Sequence, residues 1–181
     1  MTTQPAWQTP WRDLPDPDDT RHLGRELAAA LRAGDVVLLT GALGAGKTTL
    51  TTGLGEGLGV RGPITSPTFV IARVHPSLVG GPALVHVDAY RLADAVELED
   101  LDLEAGLDEA VTVVEWGRGL AEQLADSYLE VELERAIGHD EATAGDVGQD
   151  EAPGEAAPDE SVRRARLTGH GPRWAGGLAT G

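Results

Sequence analysis

The amino-acid sequence predicts an α/β fold of three layers, in which helices cover a β-sheet. Two observations favour this class. A strand-length apolar run, a glycine-rich turn and a helical pattern follow one another within residues 36–58. Further along, two runs rich in β-forming residues flank a short turn at Gly80, Gly81 and Pro82, which suits two strands joined by a short loop.

The first helix is indicated by three leucines at helical spacing. Leu23, Leu27 and Leu31 fall on one helical face, and a polar residue that can cap a helix, Thr20, comes just before them. Gly34 suits the end of the helix, because glycine readily adopts the left-handed conformation found there. We therefore expect a helix between these two residues.

The remaining elements follow in chain order. Helical patterns predict a helix at residues 47–58, ended by Gly59, and a short helix at 118–125. Apolar or β-rich runs predict strands at residues 36–40, 68–74, 83–88, 111–115 and 128–133, with a returning strand at 161–168.

The length of 181 residues suits one domain. We expect it at residues 14–170, with flexible tails at 1–13 and 171–181. Residues 139–160 contain eight acidic residues and no Lys or Arg. Such a segment cannot bury enough apolar surface to offset its ordering entropy, so we expect a disordered acidic loop that interrupts the domain.

Charge and composition restrict the possible partners. The formal net charge is -16, and a strongly acidic surface repels a nucleic-acid backbone, so contact with RNA is expected only through a partner protein. The chain has no cysteine, which excludes disulfides, zinc-thiolate sites and thiol catalysis. The beginning of the chain shows no signal-peptide pattern and there is no apolar run of membrane-spanning length, so we expect a cytoplasmic protein without membrane contact.

The strongest motif is a phosphate-binding loop between a predicted strand and a predicted helix. Residues 41–48 read Gly-Ala-Leu-Gly-Ala-Gly-Lys-Thr, which fits Gly, four residues, Gly, Lys, and Ser or Thr. Glycines allow backbone N–H groups to approach phosphate oxygens closely, and the helix N-terminus adds its dipole. We predict a P-loop NTPase-like fold that binds ATP through Leu43, Gly44, Ala45, Gly46, Lys47, Thr48 and Thr49.

The alternative is a glycine-rich turn that matches the motif by chance. The distribution of basic residues argues against it, because Lys47 is the only lysine among 14 basic residues. A compact ammonium fits between phosphates where a planar guanidinium does not. Lys47 is therefore expected to neutralise the β- and γ-phosphates and to act in catalysis, and the hydroxyl of Thr48 is expected to bind Mg²⁺.

Two carboxylates follow predicted strands and are candidates for the metal site. Asp88 ends the strand at 83–88 and Glu115 ends the strand at 111–115. Ligands in α/β sheets collect beyond the carboxyl ends of strands, and Mg²⁺ prefers oxygen ligands. The alternative for each is a capping or surface carboxylate.

Three further features have both a functional and a structural interpretation. His86 and Asp88 share a strand face and could bind a metal, but we favour a structural histidine because no third ligand has suitable spacing. Ser66 and Thr68 flank a proline after the second helix and are either a γ-phosphate switch or an ordinary turn. Trp116 either shields the site or simply packs.

Taken together, four motifs resemble one family. They are the loop at residues 41–49, Ser-Pro-Thr-Phe at 66–69, His-Val-Asp-Ala-Tyr-Arg-Leu at 86–92 and Val-Glu-Trp-Gly at 114–117. In this order they resemble the bacterial TsaE family, the ATPase needed for threonylcarbamoyladenosine synthesis on tRNA. The resemblance covers about residues 14–135.

The resemblance implies a small P-loop fold with a mixed parallel and antiparallel sheet. It also implies a role in modifying adenosine 37 of tRNAs that read codons beginning with A, together with the TsaD and TsaB proteins. It implies that Thr48 and Glu115 bind Mg²⁺, that Asp88 positions or activates the attacking water, and that residues 66–69 are a switch. The acidic span at 139–160 is longer than the hairpin expected there. Whether 161–168 completes the sheet and whether Arg163 reaches the nucleotide therefore stay open.

Two other functions use the same loop. A small-molecule kinase normally covers its nucleotide with an arginine-bearing lid, whereas the late segment of this chain is acidic and lacks arginine, which disfavours a kinase. A nucleotide-sensing interaction module would bind ATP without useful hydrolysis, and turnover measured with and without partners separates it from an ATPase.

Overall fold

The structure is a computed structural model that describes residues 4–67, 71–89, 106–119, 124–135 and 162–178. Within these ranges the chain forms an eight-stranded sheet and two α-helices. The strands are β1 (Pro5–Gln8), β2 (Arg12–Leu14), β3 (Val36–Thr40), β4 (Ala72–His75), β5 (Ala83–Asp88), β6 (Ala110–Glu115), β7 (Tyr128–Arg135) and β8 (Arg163–His170), and the helices are α1 (Pro17–Ala28) and α2 (Lys47–Leu58). Short 3-10 helices lie at Leu107–Glu109 and Pro172–Trp174.

The sheet has a parallel centre and antiparallel flanks. Strand β3 runs parallel to both β6 and β7, and β5 runs parallel to β6. Strand β4 pairs antiparallel with β5 on one side, and β8 pairs antiparallel with β7, β1 and β2 on the other. The predicted α/β fold with a mixed sheet is confirmed. The carboxyl ends of β3, β5, β6 and β7 consequently meet at one edge of the sheet.

Most of the strands and the second helix fall where they were predicted. Strand β3 is buried along nearly its whole length, which explains its continuous apolar run. Helix α2 begins at Lys47 and ends at Leu58, and Gly59 follows in the left-handed conformation with φ 68°. Strand β8 confirms the returning strand. The segment predicted as a strand from residue 68 is described only from residue 71, and β4 begins at Ala72.

The start of α1 corrects the predicted cap. Asp16 caps the helix: its carboxylate accepts from the backbone N–H of Asp19, and the Asp19 carboxylate accepts from the N–H of Asp16. Pro17 then occupies the first turn, where it needs no hydrogen-bond acceptor. Thr20 lies inside the helix and is fully buried, so its prediction as the cap was wrong. The helix also ends before the predicted stop at Gly34, which instead turns the chain toward β3 with φ 86°.

Helices α1 and α2 pack closely against each other on one face of the sheet. A side chain at Gly24 would collide with the backbone of Leu50, and one at Gly53 would collide with the backbone of Arg21. These two glycines therefore permit the close crossing that holds α2 in place. The core beneath the helices includes Leu54 and Val113.

A second apolar cluster lies on the opposite face of the sheet. It includes Leu38, Val85 and Val114, with Leu107 and Leu124 packed against it. Residues 90–105 and 120–123 lie outside the described residues. Residues 120–123 of the predicted helix at 118–125 are therefore not described. None of the helices in the described ranges is long and apolar enough to span a membrane.

Parts of both predicted tails belong to the folded domain. Strand β1 pairs with β8, and the indole Nε1 of Trp7 donates to the carbonyl of Trp174 at 2.5 Å. Trp174 is 1% exposed, and neighbouring Arg173 forms an ion pair with Asp35 at 3.1 Å. The prediction of flexible tails was wrong at these positions. Each tail contains a tryptophan whose large apolar surface packs against the domain, although the Pro- and Gly-rich composition of the tails had indicated flexibility. The predicted acidic loop at 139–160 lies outside the described residues.

Candidate nucleotide-phosphate site

The glycine-rich loop connects the central strand β3 directly to helix α2. Gly41, Gly44 and Gly46 have φ angles of 152°, 76° and 106°, which L side chains rarely adopt. A side chain at Gly41 would also collide with the backbone oxygen of Leu133 on the neighbouring strand β7. The glycines of the motif are thus required by the path of the loop.

Helix α2 presents the unpaired end of its backbone to this loop. Gly46 is the N-cap, supplies no side-chain cap, and accepts from the N–H of Leu50 at 2.9 Å. The N–H groups of the first helical turn, at Lys47, Thr48 and Thr49, precede the regular intrahelical bonds and are suited to an anion. Leu43, at the outer bend of the loop, is 88% exposed. The loop and the helix end together form a cradle whose backbone N–H groups are suited to phosphate oxygens.

Lys47 lies within this cradle. Its ammonium donates to the carbonyl oxygens of Gly41 at 2.9 Å and Ala42 at 3.0 Å, and it lies 4.3 Å from the ring centroid of Trp116. Burial lowers the pKa of Lys47, while the charges of Glu115 and Asp88 act in the opposite direction. The ammonium is therefore held partly desolvated beside the loop by weak acceptors, in a position where phosphate oxygens are stronger partners.

The two predicted carboxylates lie side by side at the sheet edge. Asp88 and Glu115 are directly opposite each other in the parallel pair of β5 and β6, and each is 4% exposed. The backbone N–H of Asp88 donates to the carbonyl of Ile71 at 2.8 Å, which anchors the end of its strand. The negative charges of both carboxylates favour the charged form of Lys47 and act to raise its pKa. The structure therefore brings the lysine and the two carboxylates together. Because both are buried, neither is a surface carboxylate.

His86 is tied to one of these carboxylates. Its Nε2 lies 2.8 Å from Oε1 of Glu115, and its ring is completely buried. Because the ring on β5 is bonded to Glu115, a candidate metal ligand on the adjacent strand β6, the structural interpretation of this histidine is favoured. The sequence suggested a link to Asp88 through shared strand face, but the bond to Glu115 depends on strand order, which the sequence does not display.

The oxygen donors of this site suit magnesium. Glu115 and Asp88 provide carboxylates, and Thr48 provides a hydroxyl next to Lys47 in the first turn of α2. Among the described residues there is no group of three or more His, Cys, Asp and Glu that could hold a metal ion. Mg²⁺ commonly takes one or two carboxylates and completes its shell with phosphates and water. The residues therefore fit a metal that arrives with a nucleotide.

The predicted switch is only partly described. Ser66 is exposed, and Thr68 lies outside the described residues. The switch therefore stays a prediction. Trp116 is 44% exposed and has a left-handed backbone with φ 62°, a conformation unusual for a bulky residue. Its ring covers the ammonium of Lys47, which favours the shielding interpretation.

Sequence reasoning missed one basic residue at the loop. The Nε and Nη2 atoms of Arg135 each lie 3.3 Å from the carbonyl oxygen of Gly44. Because β7 runs parallel to β3, its last residue reaches the sheet edge where the phosphate loop begins. The arginine also borders a cavity of about 710 Å³, whose lining includes residues 40–42, Trp116 and residues 132–135. No motif marks Arg135, since its place depends on strand order.

The fold and the site define a class. A glycine-rich loop runs from a central parallel strand into a helix N-terminus, a lysine is held at the loop, and carboxylates end the adjacent strands. This is the arrangement of phosphate-binding-loop proteins.

Comparison with known proteins identifies the family within that class. The family described as "Threonylcarbamoyl adenosine biosynthesis protein TsaE" matches residues 14–142, and the chain belongs to this TsaE family. The chain is 56% identical to the tRNA threonylcarbamoyladenosine biosynthesis protein TsaE of Streptomyces coelicolor over 156 residues, which cover 86% of this chain and 93% of that protein. It is 42% identical to the protein of the same name in Bacillus subtilis, over 74% of this chain and 82% of that protein.

The fold comparison agrees with the family. The crystal structure of YdiB from Bacillus subtilis superposes with a TM-score of 0.62 at 28% sequence identity, covering 91% of this chain and 87% of that chain. The loop and both strand-end carboxylates fall within the part of the sequence that the family covers.

Proposed function

We propose that this chain is a Mg²⁺-dependent ATPase that serves threonylcarbamoyladenosine modification of adenosine 37 in tRNAs reading codons that begin with A, acting with the TsaD and TsaB proteins. Family membership supports the place in threonylcarbamoyladenosine synthesis. The observation that carries the ATPase part is the location of Lys47 beside both the phosphate loop and the paired carboxylates of Asp88 and Glu115.

Each residue has a distinct task in the proposed reaction. The loop amides and Lys47 bind the β- and γ-phosphates and neutralise their charge. Thr48 and Glu115 hold Mg²⁺, which supplies charge stabilisation to the phosphate oxygens when bound. Asp88 orients a water molecule and accepts its proton as the water oxygen bonds to the γ-phosphorus. The bond between that phosphorus and the β,γ-bridging oxygen then breaks, and ADP and phosphate leave.

The surface charge supports an indirect relation to tRNA. With a net charge of -16 the chain has little long-range attraction for an RNA backbone. We therefore place tRNA on the partner proteins, with this chain reaching it only through the complex. In this arrangement the ATPase is weak alone and depends on its partners.

The test is phosphate release by the purified chain alone and with TsaD and TsaB. We expect slow release alone, stimulation by the partners, and loss of both in Lys47→Ala, with the variant still folded because this side chain lies at the loop rather than in the apolar core. Phosphate transfer to a small-molecule acceptor would support the kinase alternative. ATP binding without turnover under any condition would support the sensing module.

A further inference from the structure

Two bulky residues in the described ranges have a left-handed backbone, and each adjoins one of the paired carboxylates. Trp116, with φ 62°, directly follows Glu115, and Ile71, with φ 66°, accepts a hydrogen bond from the backbone N–H of Asp88 at 2.8 Å. A left-handed backbone is an outlier for a β-branched residue, because the side chain crowds the following carbonyl. Such residues persist only where the surrounding structure holds them, and they concentrate at functional sites. Ile71 is therefore a candidate for a role in the site.

Ile71 departs from regular pairing at the start of β4. Strand β4 begins at Ala72, which is opposite Val87, so Ile71 continues the register and lies opposite Asp88. In a regular hydrogen-bonded antiparallel pair, each residue directs both its N–H and its C=O at the partner strand. The carbonyl of Ile71 follows this rule and accepts from Asp88, whereas its N–H donates to the carbonyl of Pro67 at 3.0 Å. The left-handed backbone thus directs one group toward β5 and the other away from it.

The backbone of Ile71 consequently connects two buried residues. Pro67 is buried, and Asp88 is buried at the last position of β5. On the other side of β5, Asp88 is in register with Glu115 of β6. The bond to Ile71 therefore holds the last residue of β5 from the β4 side. Because a side chain moves with its own backbone, this bond also restricts the position of the Asp88 carboxylate.

We propose that Ile71 is a positioning residue for ATP hydrolysis, whose left-handed backbone holds Asp88 where this carboxylate orients the attacking water. The inference rests on the proposed function and adds to it a residue that acts through another. Isoleucine suits this task better than glycine, because its branched side chain leaves the backbone few conformations, whereas glycine adopts many. The two hydrogen bonds and the half-buried side chain offset the strain of the left-handed conformation.

The test compares Ile71→Gly with Ile71→Val and with the matched control Ala72→Gly. Ile71→Gly removes the strain and frees the backbone, Ile71→Val keeps a β-branched side chain, and Ala72→Gly frees the backbone one residue further along. Calorimetry on the chain alone measures MgATP binding, and single turnovers with TsaD and TsaB measure hydrolysis. We expect Ile71→Gly to hydrolyse MgATP roughly tenfold more slowly with unchanged affinity, because a misplaced group costs rate rather than ground-state binding. The other two variants should hydrolyse within about twofold of the parent rate.

Amide hydrogen exchange and thermal unfolding give readouts that do not depend on turnover. In Ile71→Gly the N–H of Asp88 should exchange roughly tenfold faster while the other amides of β5 keep their protection. In Ala72→Gly the Asp88 amide should stay protected. Ile71→Gly should melt no lower than Ala72→Gly, because the relief of strain offsets the lost side chain. Should Ile71→Gly not fold, Ile71→Asn replaces it with the same expected results, since asparagine also accepts a left-handed backbone.

Three results would overturn the proposal. They are parental hydrolysis by folded Ile71→Gly, an equal loss of rate in Ala72→Gly, and an unchanged exchange rate of the Asp88 amide in Ile71→Gly. A parent chain that folds, protects the Asp88 amide and hydrolyses no ATP with TsaD and TsaB would refute the proposed function, and this inference with it. The parent's own assay therefore separates failure of the proposed function from failure of the role of Ile71 alone.

Discussion

The imidazole Nε2 of His86 and the carboxylate Oε1 of Glu115 lie 2.8 Å apart in a buried part of the sheet. The two residues belong to adjacent parallel strands, and Glu115 is the last residue of β6. A carboxylate held from behind by a buried ring has few alternative orientations. The carboxylate of Glu115 is therefore held in place by a side chain from the neighbouring strand β5.

The first prediction concerns this bond. His86→Ala should lower the free energy of unfolding by about 1–3 kcal/mol, because a buried carboxylate oxygen loses its partner. It should also raise the Mg²⁺ concentration needed for half-maximal ATP turnover, since Glu115 becomes free to reorient. Urea unfolding and a Mg²⁺ titration of phosphate release measure the two effects.

His170 offers a control for this variant. Its Nε2 lies 3.2 Å from Oε2 of Glu130, and it sits at the far end of β8, away from the phosphate edge. His170→Ala should destabilise the fold while leaving the Mg²⁺ requirement unchanged. An equal shift of the Mg²⁺ requirement in both variants would mean that His86 acts only through stability.

The second prediction concerns the carboxylates themselves. Glu115→Gln, and separately Asp88→Asn, should suppress hydrolysis of MgATP more than binding of MgATP, because phosphoryl transfer depends on the placement of metal and water. Single-turnover hydrolysis and equilibrium binding, measured on the same preparations, separate the two. Parental hydrolysis rates in both variants would remove the roles assigned to Glu115 and Asp88.

The third prediction uses the lowered pKa of Lys47. Burial disfavours the charged ammonium. Its unfavourable contribution to the stability of the folded, nucleotide-free chain is therefore fully present below the lowered pKa. That contribution disappears as pH rises from the lowered pKa toward the ordinary value of 10.5. Over the same window the chain loses the charge that binds phosphate. Through this residue, rising pH should therefore increase the stability of the nucleotide-free protein and weaken its binding of MgATP.

Lys47→Met isolates this contribution from the other titrating groups. The difference in thermal stability between the parent chain and Lys47→Met should shift in favour of the parent as pH rises through that window, and MgATP should lose its stabilising effect on the parent over the same range. A pH-independent difference between the two proteins would show that Lys47 keeps its ordinary pKa in the folded chain.

Local sequence patterns predicted most of the central fold. The apolar run at Val36–Thr40 is buried on both faces, and the left-handed Gly59 ends α2 where a helix-stopping glycine was expected. The errors lie where local and tertiary signals compete. Asp16 followed by Pro17 outcompetes Thr20 as the helix start. The tails were misjudged because the contact of Trp7 with residue 174 spans nearly the whole chain.

The residues of the candidate site also divide into those that local sequence patterns predict and those that depend on tertiary structure. The loop glycines, Lys47 and the strand-end carboxylates follow from residue type and local spacing, so they were predictable. The bond from His86 to Glu115 requires knowing that β5 lies beside β6. Arg135 requires knowing that β7 lies beside β3. Strand order is a property of tertiary packing, and no short stretch of sequence encodes it.

The last prediction concerns the acidic span at residues 139–160. Arg135 and Arg163 are neighbours across the hairpin, so deletion of this span leaves a five-residue connection that includes Gly138 and can close the turn. Loop-closure entropy changes slowly with length, and the shortening should alter stability by only about 1–2 kcal/mol. The deleted stretch carries no Lys or Arg to meet a phosphate, and all residues assigned to Mg²⁺ precede it. The shortened chain should fold and retain its own ATP turnover, as measured by thermal unfolding and phosphate release.

Stimulation by TsaD and TsaB should also survive, because charge runs of this kind are usually solvated rather than bound. A shortened chain that folds and hydrolyses ATP but no longer responds to these proteins would make the span a binding element.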